Sequence, residues 1–427
     1  MEAGTGTILS DYNLIRGYIR KILGRVALVT KSNRDSSRLS RVNKVAFVGA
    51  LIGLLSPFFG WLTLKPNRLA TGTSLSLWNS LGWEIAVTTI LLWITILVLS
   101  LSDGKKWQPF AFAALANIIL IMTSIAAGSA AAGLISKSSD LTRVSLSSGI
   151  LISAVGALII LISARHQVAQ NRLEMNLIVW PWLAILLIFL LSGWFNHLSI
   201  LQEYFNNSVR FRQEFVTHLY LFAGSIAAGI LIGIPLGIWA ARSNRANRPI
   251  FFLANITQTI PSLALFGLML VPLSALSTAF PFLQSLGISG IGAAPAFIAL
   301  IIYALLPIIQ NTYTGLRQIN PAVIDAGRGM GMNRAQLLRR VEAPLAAPLI
   351  LVGVRTAAVQ TVGNTAVAAL IGAGGLGQFI FQGLGQAAAD LIILGAIPII
   401  VLALIVDLAM LIIIRIVTPW GLTEAPA

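Results

Sequence analysis

The sequence contains no cysteine at all and only three histidines, His166, His197 and His218, in separate segments. The first absence excludes a disulfide framework, a thiolate metal site and a cysteine nucleophile. The scattered histidines offer no clustered metal-ligand set. Charge is also scarce: 10% of the 427 residues are Asp, Glu, Lys or Arg, and 57% are hydrophobic. A soluble domain carries roughly 25% charged residues, so this composition lacks the polar surface a soluble fold of such length needs. Also absent is a Gly-Lys-Ser/Thr phosphate-binding loop, which leaves the chain no nucleotide cradle of its own.

What the sequence does contain is long apolar runs. Ten of them fall near the roughly 17 to 25 residues a helix needs to cross a hydrocarbon core. They run 45–64, 83–101, 110–135, 147–164 and 177–194, then 217–241, 251–273, 294–310, 345–371 and 391–416. The fold class predicted is therefore an all-α integral membrane protein of about ten transmembrane helices. The ninth run is long enough to tilt or bend.

Charge placement tests the count. The chain is strongly basic, at +15. With the N-terminus in the cytoplasm, 22 Lys/Arg fall in inside segments, 6 fall outside, and Arg355 alone lies within a span. That asymmetry is the positive-inside rule, and it predicts both termini in the cytoplasm of a plasma (inner) membrane protein. A miscounted helix would invert every later loop. The basic balance thus reports topology and calls for no nucleic acid.

Three regions follow. Residues 1–44 form a basic cytoplasmic tail, too long and too charged for a secretory signal. Within it 14–29 mixes apolar residues with Arg16, Arg20, Lys21 and Arg25, which suits either a helix on an anionic leaflet or a plain topogenic tail. Residues 45–204 hold five Leu/Ile/Ala-rich spans with no legible motif. Residues 205–427 hold most of the glycine and proline, in ordered clusters.

The loop 317–344 carries the strongest pattern. It contains Asp325-Ala326-Gly327, then Gly331, then Val341-Glu342-Ala343-Pro344, with Leu337, Leu338 and Val341 at helical spacing. This predicts a short helix, a glycine turn and a second short helix, with Pro344 and Pro348 opening the next span. The element resembles the EAA motif of ABC importer permeases: Glu-Ala-Ala, three residues, Gly, nine residues, then Ile-x-Leu-Pro. Asp replaces Glu, Gly replaces the second Ala, Val replaces Ile and Ala replaces Leu, while the acidic position, turn glycine and closing proline stand.

Neighbouring clusters resemble the glycine betaine/choline/carnitine permeases: 258–265 (QTIPSLAL), 303–308 (YALLPI), 311–315 (NTYTG), 354–357 (VRTA) and 371–377 (IGAGGLG). The resemblance spans residues 210 to 416 and implies a type I ABC importer permease core. It implies that Asp325, Ala326, Gly327, Gly331, Val341 and Pro344 form the coupling element that docks on a cytoplasmic ATPase. ATP is then bound and hydrolysed by that partner, and this chain binds no cofactor and performs no covalent chemistry. An extracytoplasmic substrate-binding protein, separate from this chain, would deliver a small osmoprotectant. A second permease, either another copy of this chain or a paralogue, would complete the path within the bilayer.

Methionine permeases are the nearest rival within the fold. An ion-coupled secondary transporter would need inverted repeats and mid-membrane acids; a membrane sensor built on the first five spans would leave the loop without a purpose. Arg355, some ten residues into its span, needs a partner or a wet cavity, and Asp407 lies at matching depth. The pair reads either as a gate or as an ion pair orienting two helices. Tyr303, Asn311 and Tyr313 could meet a cationic solute through ring faces and amide oxygen, or simply pack. Pro261, Pro272 and Pro307 predict kinks. The glycines of 371–377 predict a turn or re-entrant segment on the outer side.

Overall fold

A computed structural model describes residues 43–419, except 69, 103–104, 139–140, 168–175, 177 and 286. The basic tail, including its candidate surface helix 14–29, lies outside the described residues. The chain divides into two compact units, at Leu198/Ser199.

The first unit comprises α1 (Lys44–Leu55), β1 (Leu62–Lys65), β2 (Thr73–Leu75), α2 (Leu77–Leu81) and α3 (Trp83–Ser100). It continues with α4 (Gln108–Ile135), β3 (Arg143–Leu146), α5 (Ser148–Gln167) and α6 (Pro181–Leu191). Small residues let its helices approach closely, as is usual where lipid removes the hydrophobic drive between helices. A side chain at Gly49 would meet Ile160 and the backbone of Gly156, and one at Gly53 would meet the Trp93 ring. Trp93, Ile96, Phe112, Ala116 and Ile160 form the core around this seam. Asn117, in mid-helix, is satisfied on both sides of its amide. It donates to the carbonyls of Ala113 and Ile178 and accepts from the Trp182 N–H at 2.9 Å.

The apolar run 45–64 does not stay helical. The helix gives way to a short 3-10 turn (Ser56–Phe58), and Leu62–Lys65 becomes the centre of an antiparallel sheet ordered β2-β1-β3. Hairpin β1–β2 follows α1 and β3 follows α4, so their pairing fixes both loops on one side of the bundle. A bridge from Val144 to Leu198 brings the segment after α6 to that same side. α6 therefore returns the chain across, although its apolar helix is short.

The second unit comprises α7 (Ser199–Asn206), α8 (Ser208–Arg242), α9 (Asn244–Thr259), α10 (Ser262–Ala279) and α11 (Phe282–Ser285). Then come α12 (Ala293–Arg317), α13 (Pro321–Gly329), α14 (Arg334–Leu337), α15 (Ala343–Val367), α16 (Gly377–Gly385) and α17 (Ala389–Val417). α12 lies at its centre, against α8 and α15, and α17 packs on α15 and α16. Gly229, Gly233 and Gly237 recur every fourth residue on α8 and receive Ala304, Ile308 and Thr312 of α12.

Among the described residues eight helices are long and apolar enough to cross a membrane, and Lys44–Phe58 and Pro181–Leu191 are shorter apolar helices. The membrane-helix class expected from the sequence is the one observed. A second expected span is also corrected: 251–273 is not continuous but breaks at Ile260-Pro261 between α9 and α10. Gly292, at the head of α12, donates to the Ile371 carbonyl. The start of α12 thus lies beside the 371–377 turn, and α9 and α10 together make one passage.

Candidate functional site

Loop 317–344 folds as a rigid helix–turn–helix. Asn320 caps α13 by accepting from the Ala322 N–H at 3.0 Å, and Pro321 takes the first helical position, where a missing N–H costs nothing. Gly331 closes the turn at φ +78°, a left-handed conformation that side chains resist. Asn333 and Gln336 then form a reciprocal capping box that starts α14. Gly327 is buried beside Leu337, where α13 and α14 pack against each other.

The second short helix differs from expectation. α14 does not end before the span but runs through a π-turn (Leu338–Glu342) directly into α15, with Pro344 and Pro348 inside the continuous helix. Any displacement of α14 is therefore applied to α15 itself. Glu342, in that turn, pairs with Arg242 at the end of α8. Beside this pair a cavity of about 610 Å³ separates the element from α8 and α12, lined by Arg242, Arg317, Ile324, Arg328 and Leu337 among others. Asp325, Ala326, Arg328 and Gly331 are exposed, as is Met330 at 71%, so an apolar tip stands out from a basic rim. Val341 is half-buried and Pro344 exposed.

The structure pairs Arg355 of α15 with Asp407 of α17 through two parallel contacts, Nε–Oδ1 at 2.6 Å and an Nη–Oδ2 contact at 2.9 Å. Fork-to-fork geometry of this kind is the strong form of a charged hydrogen bond. Tyr303 and Asn311 serve the protein's own backbone. Pro307 has no N–H to give the Tyr303 carbonyl four residues earlier. The amide of Gln258 supplies the missing donor at 2.9 Å, and the Tyr303 hydroxyl donates in turn to the Ile260 carbonyl freed at the α9–α10 break. Asn311 donates to the Pro307 carbonyl at 2.9 Å, and Tyr313 packs edge-on against Phe251.

On the opposite side from the loop, the turn 371–377 is held by α8. Glu214 accepts from the Gly375 N–H at 2.6 Å, and His218 reaches the Val362 carbonyl at 3.2 Å. Arg210 donates to Gln382 at 2.8 Å and lies over the Phe379 ring. These three side chains, one helical turn apart on α8, carry no sequence motif and were not legible as a set. Among the described residues no group of three or more His, Asp or Glu gathers as a metal site.

Residues 233–420 match the family described as binding-protein-dependent transport system inner membrane component. Across 205 residues the chain is 38% identical to the glycine betaine/carnitine/choline transport system permease protein OpuCB of Bacillus subtilis (strain 168), covering 48% of this chain and 87% of that relative. The chain belongs to this permease family. A second member, the osmoprotectant import permease protein OsmW of Salmonella typhimurium, is 42% identical over 44% of this chain and 83% of its own. The methionine ABC transporter MetNI in inward-facing conformations shares 25% identity over 48% of this chain and 95% of that one, with a TM-score of 0.43. Residues 40–201, for which the sequence offered no motif, match the N-terminal domain of the ABC transporter permease YehY. The chain is thus a multi-pass membrane transport subunit whose helical core is that of an ABC importer permease.

Proposed function

We propose that this permease forms the membrane path for glycine betaine, choline or a related small osmoprotectant, imported at the expense of ATP hydrolysed by a separate cytoplasmic subunit. The reading rests on one observation above the others: α13 and α14 make a rigid, projecting element joined without a break to α15. Asp325, Ala326, Gly327, Gly331, Val341 and Pro344 build it, and Met330 supplies an apolar tip to enter a groove on the ATPase. Movement of that groove would turn α15 through the π-turn, with the Arg242–Glu342 pair carrying the motion to α8. The solute class is supported by the relatives named above.

In this reading two permeases, probed first as two copies of this chain, enclose the path, and an extracytoplasmic binding protein delivers the solute. Both termini face the cytoplasm. The test is reconstitution of the chain with its ATPase and binding protein in liposomes. Uptake of labelled glycine betaine or choline that requires ATP supports the proposal. Movement of solute by the chain alone, without ATP, overturns it.

A further inference from the structure

The span α15 carries a polar stripe that the coupling role does not use. Val352, Thr356, Gln360 and Gly363 follow one another at spacings of four, four and three, which places them on one face of the helix. Thr356, Gln360 and Gly363 are all exposed. A side chain added at Gly363 would meet nothing within 4 Å, so space lies open in front of this face.

Its flanks are polar too. On one side Asn311 of α12 packs against Gly353. On the other the Arg355–Asp407 pair leaves about a third of each side chain exposed, 32% and 30%. Toward the coupling element the same face enters a cavity of about 570 Å³, lined by Gly315, Leu349, Val352 and Ile414 among others. The neighbouring span presents a different surface. Ile400, Leu404, Leu408 and Ile412 of α17 are all exposed and all apolar, as a face toward lipid should be.

An amide held against hydrocarbon has no partner for its hydrogen-bonding groups, and polar side chains within spans normally face a bundle interior or a water-filled cavity. Lipid is therefore an unfavourable neighbour for Gln360. We infer that Thr356, Gln360 and Gly363 line the solute path, with Asn311 and the Arg355–Asp407 pair as its walls. This inference rests on the importer reading and adds the lining residues to it.

The chemistry of the stripe defines what it would pass. It offers a hydroxyl and an amide, without net charge, beside a pair that neutralises itself. Such a lining suits a small zwitterion or a monovalent organic cation that keeps part of its water. The Tyr303 hydroxyl is engaged with the Ile260 carbonyl and is not free to contact that solute.

The natural absence of cysteine makes the test direct. Thr356→Cys, Gln360→Cys, Gly363→Cys and the lipid-side control Leu404→Cys are each assembled with the ATPase and binding protein in membranes. They are then treated with a trimethylammonium methanethiosulfonate, which mimics the solute and reacts in water. The three stripe thiols should react at least roughly tenfold faster than Leu404→Cys, since only a hydrated thiol ionises readily. Choline should slow the reaction, and modification should stop uptake. Gly363→Cys guards against loss of folding, because its site is open.

Stripe thiols that react no faster than the control would overturn the inference. So would disulfides between two copies at Gln360→Cys with uptake intact, which would make the stripe a subunit contact. Failure of the importer reading shows separately, as absence of ATP-driven uptake by the unmodified assembly.

Discussion

Arg355 and Asp407 grip each other by two contacts across α15 and α17, and a charge placed within a span is costly once its partner is lost. Reversing one partner sets two like charges against each other, so Arg355→Glu and Asp407→Arg should each lower the yield of assembled transporter. The exchange of both restores opposite charges at the same place. Assembly, followed by size-exclusion chromatography in detergent, should recover in the double variant, and uptake with it. Assembly without uptake would give the pair a gating role; recovery of neither would mean that the pair does not orient these helices. Tyr303 makes a narrower prediction. Tyr303→Phe keeps the ring but leaves the Ile260 carbonyl without its donor, a loss of about 0.5–1.5 kcal/mol for a part-buried hydrogen bond. Gln258→Leu strands the Tyr303 carbonyl in the same way. Both variants should lower Tm of the purified chain, and an unchanged Tm in both would remove the stitch between α9–α10 and α12 from the account of stability.

At the level of elements, the turn at Gly331 separates docking from transmission. Its φ of +78° costs an alanine roughly 1–2 kcal/mol, and a β-branched residue more. Gly331→Ala should weaken coupling moderately and Gly331→Val severely, with ATP hydrolysis continuing while uptake falls. Equal uptake per ATP in wild type and Gly331→Val would show that the turn does not transmit. The helix–turn–helix was legible because a turn glycine, apolar residues at helical spacing and closing prolines are local signals. Its continuity with α15 was not, since Pro344 and Pro348 fall in the first turns of a helix that a π-turn carries past them. The α9–α10 break was hidden for a similar reason. Pro261 alone permits a kink or a break, and the choice was made by Tyr303, 42 positions away in the chain. The glycine seam of α8 and the Arg210–Glu214–His218 ladder depend on which face of the helix meets α12 or the 371–377 turn. Period alone does not say that.

For the whole molecule, two independent arguments bear on how often the chain crosses. One is electrostatic: 22 basic residues against 6 in alternate segments. The other is geometric. Pairing of β1 with β3 and of Val144 with Leu198 puts the segments after α1, α4 and α6 on one side. In the second unit the Arg242–Glu342 pair puts the end of α8 beside the coupling element, while Glu214 puts its start beside the 371–377 turn. At 35 residues α8 extends on the order of 50 Å, ample for a hydrocarbon core of about 30 Å. Both arguments give the same alternation, and they conflict only if α6 or the α9–α10 pair fails to cross. Fusions of a reporter that is active only outside the membrane decide this. Placed after Lys137 and after Arg210 it should be active; placed after Arg165, after Arg248 and after Arg317 it should be silent. Activity after Arg248 would mean that α8 does not carry the chain inward and would move the coupling element away from the ATPase. Silence after Arg210 would make α6 a surface helix, leaving the first unit with an even number of crossings.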